Sequence, residues 1–293
     1  MTMTRLYKHL FDRRAILLFL SLTVTACGQL ISNAKQQFAD DLSATLLEQN
    51  DPAMVKQAVP AYLVMVSSMV RSDPDNAALL ISASKLYGAY ASAFSEDDKE
   101  SRLKLATTAF EYAGRAFCAR LPDACDLQSL PFETFQDRLS MIKTEDVDVL
   151  FTFGSAWAGW LQANSTDWNA VAALPKIQAI IERVIVLDPD IDNGDAHLYL
   201  AVIRSLLPPA MGGKPETAKV EFEAAIQVSN GTNLMAKVLY AERFARLVFD
   251  QKLHDRLLKE VIAAEERRDA HTLTNAIAKQ KARRLLAESP EYF

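Results

Sequence analysis

The chain has 293 residues, 50% of them apolar and 24% charged, with nine glycines, three cysteines and a formal charge of −5. That composition supports a sizeable core, and its wealth of Ala, Leu, Lys, Glu and Arg favours helices over strands. The acidic balance, without a Lys/Arg cluster or an aromatic–basic strip, argues against nucleic acid as a partner.

Residues 1–26 read as an export signal. Arg5, Lys8, Arg13 and Arg14 against Asp12 give a basic start, and AILLFLSLTV (15–24) and small residues follow. The apolar run is shorter than the roughly 20 residues a membrane span needs. VTAC (24–27), with Leu22 just upstream, resembles the lipobox of bacterial lipoproteins. That resemblance implies cleavage before Cys27 and acylation of its thiol and new amine, with residues 27–33 as a lipidated tether and 34–293 as the helical body. Gly28 stands where an Asp would favour inner-membrane retention, so the expected location is the periplasmic side of the outer membrane, with the inner membrane as the alternative. An ordinary export signal with an incidental cysteine is the other reading.

Past the tether, Pro52 after Asn50-Asp51 marks a helix start, and Pro60 kinks or restarts it. SDPDN (72–76) stops that helix and begins another, which carries Leu80, Ala83, Tyr87, Tyr90, Ala91 and Phe94 on one face. Ser95 is a suitable cap for the next, whose stripe is Leu103, Ala106, Phe110, Ala113 and Phe117. These two stretches form an antiparallel hairpin. Cys118 and Cys125 lie too far apart on a continuous helix for a disulfide, but Leu121-Pro122-Asp123 breaks the helix and can fold Cys125 back. Two buried thiols are the alternative.

FTFGSAWAGWLQ (151–162) places Gly154, Ser155, Ala158 and Gly159 on small faces, with Trp157 and Trp160 as i, i+3 neighbours. Glycine inside a helix costs about 1 kcal/mol relative to alanine, so a steric reason is expected. Tight core packing is one reason; an aromatic-walled ligand tunnel, with Tyr62, Tyr87, Tyr90 and Tyr199 joining its lining, is the other.

LDPDIDNGDA (187–196) closes one helix and opens the next, striped by Ala196, Tyr199, Leu200, Ile203 and Leu207. The loop LLPPAMGGKPETA (206–218) then fails as a phosphate-binding loop. Counting back five from Gly213 reaches Pro208 rather than Gly, Lys214 precedes Pro215, and helix rather than strand lies upstream. Pro208 and Pro209 stop one helix, Gly212 and Gly213 turn the chain, and Pro215 with Glu216 starts the next. That helix buries Ala218, Phe222, Ala225, Ile226 and Ser229 up to NGTN (230–233). Leu234, Val238, Ala241, Ala245 and Val248 line another, and helices around 253–266 and 272–288 end the chain. His197, His254 and His271 share no i, i+4 spacing or Cys/His cluster, and no nucleophile motif occurs. No catalytic residue, metal or cofactor is expected.

The expected fold is therefore all-α. Its helical hairpins closed by D-P-D resemble tetratricopeptide repeats, in an irregular solenoid that forms one compact domain. The order of features is similar to the T component (TatT) of tripartite ATP-independent periplasmic (TRAP) transporters: a lipobox, AVPAYLVMVSSMV, DPDNAALLISASKLYGAYASAF, AWAGWL, PPAMGGKPETAKVEFEAAI and SNGTNLMAKVLYAERFA. The resemblance implies a periplasmic lipoprotein with an opening through the protomer. It also implies assembly as a homotrimer, docking to the substrate-binding P component, and shelter for a small apolar or organic ligand. It gives Trp157–Trp160 and Pro208–Glu216 prominence as tunnel lining and tunnel mouth or partner loop, without placing ligand against either. A lipidated scaffold with no small-molecule site is the competing reading.

Overall fold

Helix α1, Pro52–Ser72, starts where Asp51 caps it: the carboxylate accepts from the backbone N–H groups of Ala53 and Met54 at 3.0 and 3.1 Å. It belongs to a computed structural model that describes residues 37–38, 41–95, 97–206, 214–267 and 271–293. The export signal (1–26), Cys27, the tether and the loop residues Leu207, Pro208, Pro209, Gly212 and Gly213 lie outside the described residues. Among the described residues all regular structure is helical.

Helices α2 (Ala77–Phe94) and α3 (Lys99–Arg120) form the expected hairpin. Asn76 caps α2 through its side chain, and Asp98, not Ser95, caps α3 by accepting from Ser101 N–H at 2.9 Å. Small side chains bring the pair close. Ala83 and Ala91 are buried with Ala106, Ala109, Ala113 and Ala116, and Ser84 donates to the backbone carbonyl of Ala109 at 2.8 Å. The chain then turns through Pro122–Ala124 and Leu127–Ser129 into α4 (Phe132–Ser140) and α5 (Val147–Ala163). Cys118 and Cys125 are disulfide-bonded, their Cα atoms 4.5 Å apart, which pins the end of α3 to the first of these turns.

Next come α6 (Trp168–Val171), α7 (Leu174–Leu187), α8 (Asp195–Arg204) and α9 (Pro215–Val228), with Pro215 in the first turn of α9 and Lys214 before it. Glu221 of α9 ties α8 to α9, binding His197 Nδ1 at 2.6 Å and Arg204 Nη1 at 2.7 Å. His197 thus serves as a packing link. Asn230 and Gly231, both at positive φ, end α9 as NGTN predicts.

Helix α10 (Leu234–Leu239) departs from the expected stripe because it widens into a π-helical turn over Tyr240–Ala245. The extra residue in that turn rotates the following face. Tyr240 and Phe244 are buried there, while Val248, expected on the buried stripe, is 37% exposed. Helices α11 (Gln251–Ala263) and α12 (Thr272–Tyr292) complete the chain.

The core is arranged as a closed circuit. One apolar cluster runs from Val66 and Val70 of α1 through α2–α5 and α7 to Ala196, Leu200 and Ile203 of α8. A second takes the other side of α8, Leu198 and Ala201, and continues to Ala278, Ala282 and Leu285 of α12. A third joins Leu273 and Ile277 of α12 to Val55, Val59 and Leu63 of α1. An open solenoid would leave its first and last helices apart; here they meet.

Candidate functional site

The turn before α8 carries the least ordinary backbone described. Asp192, Asn193 and Gly194 are consecutively left-handed, at φ 45°, 56° and 85°. Asp and Asn tolerate that region better than other side-chain-bearing residues, and Gly194 has a second reason to be glycine. A Cβ there would sit 2.9 Å from Cβ of Val228 on α9. The three turns aim Asp192 at Lys85 of α2, whose ammonium lies 3.3 Å from Asp192 Oδ2 and 3.1 Å from Asp148 Oδ1 at the start of α5. Asp195, first residue of α8, accepts from Asn233 Nδ2 at 3.0 Å, and Asn233 itself immediately precedes α10. Segments far apart in sequence thus converge on one polar cluster.

Its electrostatics combine half-exposed ion pairs with one desolvated carboxyl group. Burial, reinforced by the Asp192 carboxylate, pushes Asp195 up to about 7, although the Asn233 bond and Lys85 act in the opposite sense. Burial alone would lower Lys85, but the Asp192 and Asp148 carboxylates outweigh it and hold the ammonium above its ordinary value. Tyr199, one helical turn beyond Asp195, has its phenol raised by burial first and then by the Asp195 and Asp192 charges. Yet 36% of Tyr199 is open to solvent. Phe151 of α5 meets the Tyr199 ring edge-on, centroids 5.7 Å apart. The Lys85 pairs are too exposed to add more than about 1 kcal/mol of stability, so their contribution is placement.

The other residues expected along a tunnel lie elsewhere. Trp157 is 2% exposed and stacks on Phe110 at 5.6 Å, also meeting Phe153 at 5.6 Å, inside the core between α3 and α5. Gly154 is filled by its neighbours: an added Cβ would meet Ile180 Cγ2 at 2.5 Å and Ile181 Cδ1 at 3.1 Å. The tunnel assignment of Trp157 and Gly154 is therefore corrected to close helix packing. Trp160 is half-buried over Phe110. Tyr87 bonds the Ser67 hydroxyl at 2.7 Å, Tyr90 donates to the Lys56 carbonyl at 3.1 Å, and both brace α2 against α1. Tyr199 alone of these six belongs to the polar cluster. Lys214 is exposed, just ahead of α9.

Lys85, Asp148, Asp192, Asp195 and Asn233 escape a sequence reading. The D-N-G run signals a turn, but nothing local tells that its aspartate meets a lysine 107 positions upstream. A separate open hollow of about 610 Å³ on α11 is lined by Gln251, Lys252, Asp255, Arg256, Lys259 and Glu260 and shares no residue with this cluster. Among the described residues no group of three His, Cys, Asp or Glu side chains is placed to hold a metal ion.

A family model described as TRAP transporter T-component matches residues 48–293. No curated protein matches the chain.

Proposed function

Because the chain belongs to the TRAP transporter T-component family, we propose that it is a lipid-anchored accessory of such a transporter, docking the substrate-binding P component and sheltering a small organic ligand. The family match over residues 48–293 carries this reading. Cys27 carries the acyl chains, which hold the body on the periplasmic side of the outer membrane. Three copies assemble, each presenting a face to the P component. The role is passage and presentation, without catalysis.

The burial of Trp157 favours a second reading, a lipidated scaffold with no small-molecule site. Native mass spectrometry of the chain purified from its own envelope, with and without the P component, separates the two. The transporter reading expects a trimer that retains the P component and a bound small molecule. A monomer that retains neither refutes it, and an assembly that retains protein partners but no small molecule establishes the scaffold. Metabolic labelling with a tagged fatty acid, lost in Cys27→Ser, tests the anchor.

A further inference from the structure

The chain leaves the π-helical turn through Phe249, which stands at φ 60° and is 64% exposed. The N–H of Asp250 donates back to the carbonyl of Ala245 at 2.8 Å. Phe249 thus fills the left-handed closing position of a helix, where glycine or asparagine is usual. A bulky side chain there is rare and carries strain. Its ring lies at the surface, meeting Phe293 at 5.2 Å and Tyr292 at 6.3 Å between centroids. Val248 and Tyr292 beside it are 37% and 45% exposed, and the Arg246 guanidinium lies 4.4 Å from the Tyr292 centroid. A strained backbone therefore presents an aromatic ledge to solvent.

The ledge adjoins the open hollow of about 610 Å³ on α11. Asp250 caps α11, and Gln251 directly after it lines the hollow; Phe293 meets the ring of His254, the neighbour of the lining residue Asp255. Lys252, Arg256 and Lys259, at i, i+4 and i+7, give the hollow a basic face. Its carboxylates are already engaged. Asp255 accepts from Ser289 at 2.7 Å and bonds His254 Nδ1 at 2.9 Å, while Glu260 pairs with Lys237 at 2.8 Å and Arg256 at 3.2 Å. Lys252 and Lys259 are exposed and have no ion-pair partner among the described residues.

Carboxylates complement the two unpaired ammonium groups, and an apolar side chain complements the ledge. A small anion would satisfy the lysines and leave the aromatic rings uncovered, whereas a protein segment covers both. We propose that the ledge of Val248, Phe249 and Tyr292, together with the α11 hollow, docks an acidic stretch of the P component that lays an apolar side chain on Phe249. This rests on the reading that the chain docks that protein, and it adds the face and the chemistry. Aromatic anchors carry much of the binding energy of an interface, and charges at its rim set its salt dependence.

Titration calorimetry of the full-length chain with the purified P component, at about 50 and about 300 mM salt, tests this. The double reversal Lys252→Glu with Lys259→Glu is expected to weaken binding about tenfold or more. Added salt weakens the parent severalfold and the double variant little. Phe249→Gly suits the left-handed backbone, so it melts no lower than the parent, yet it binds about tenfold more weakly. Lys143→Glu, an exposed reversal between α4 and α5, leaves the affinity unchanged.

Undiminished P-component binding in a folded double variant or in Phe249→Gly overturns the proposal and leaves the transporter reading standing. An equal loss in Lys143→Glu also overturns it, because net charge would then be the cause. So does a Phe249→Gly chain that melts well below the parent, which would assign the ring to the fold. Phosphatidylglycerol vesicles that bind the parent and release the double variant, with P-component binding unchanged, would make this face a lipid contact instead. A P component that does not bind the parent defeats the transporter reading and this inference with it.

Discussion

Asn233 Nδ2 donates to Asp195 Oδ1 at 3.0 Å, joining the start of α10 to the first turn of α8 across 38 positions. The bond holds a carboxyl group in a place that disfavours its charge, and its consequence is a pH-dependent stability. The carboxyl of Asp195 titrates at about 7 in the folded protein, against about 3.9 in an unfolded chain. The native state therefore keeps the proton over the interval between those values. Stability is highest below about pH 4, falls as pH rises, and carries the full penalty above about pH 7. Asp195→Asn keeps an oxygen for Asn233 and removes the charge. At pH 8 it is expected to exceed the parent in stability by on the order of 3 kcal/mol, shrinking below about 1 kcal/mol at pH 4.5. Urea denaturation at both pH values checks this; an equal difference at both would show that Asp195 is not the group responsible.

Two glycines on one helix are expected to respond oppositely to alanine. Gly154→Ala drives a Cβ to 2.5 Å from Ile180 Cγ2, and overpacking of that kind costs about 1–3 kcal/mol. Gly159→Ala meets nothing within 4 Å, so the gain in helix propensity, up to about 1 kcal/mol, is realised. Thermal melts of the two variants decide the matter: a stabilised Gly154→Ala would mean that α5 and α7 can separate freely.

Closure of the helical circuit rests on few side chains. Leu273 is 8% exposed in the cluster that joins α12 to α1. Leu273→Ala is expected to lose about 2–5 kcal/mol. Hydrogen exchange should accelerate first in α1 and α12 and least in α5 and α7, because the third cluster opens separately from the first. Acceleration spread evenly over all the helices would mean that the circuit opens as one unit.

The Cys118–Cys125 bond closes a short loop where α3 ends. For a loop of that size the chain-entropy contribution is about 2.5 kcal/mol. The double replacement Cys118→Ala with Cys125→Ala is expected to lower the midpoint in guanidinium by a corresponding amount without changing the helical signal. A midpoint equal to that of the parent would show that the Pro122 turn holds the segment without the bridge.

The amino-acid order by itself determined the helices and most of their limits. Asp51 and Asn76 cap through their own side chains, Pro215 starts α9, and Asn230-Gly231 ends it, although the cap of α3 is Asp98 and not the Ser95 that the order suggests. Each is a contact within a few residues, and so it is legible locally. The alanine stripes of α2 and α3 likewise declare which face is buried, since burial repeats with the helical period. What a stripe cannot declare is its partner. Trp157 and Tyr199 are both aromatic residues on helices, yet the first is sealed against Phe110 and Phe153, while the second keeps 36% of its surface open.

Only the tertiary structure decided that difference, because a sealed helix face and an open one can carry the same aromatic residue. The π-turn at Tyr240–Ala245 was hidden for a related reason. One additional residue per turn leaves propensity unchanged, and only the packing of Tyr240 against Phe222, centroids 5.1 Å apart, gives it a location. Lys85, Asp192, Asp195 and Asn233 come together only in the folded chain. Their meeting depends on interactions between distant segments, to which no local pattern in the sequence responds.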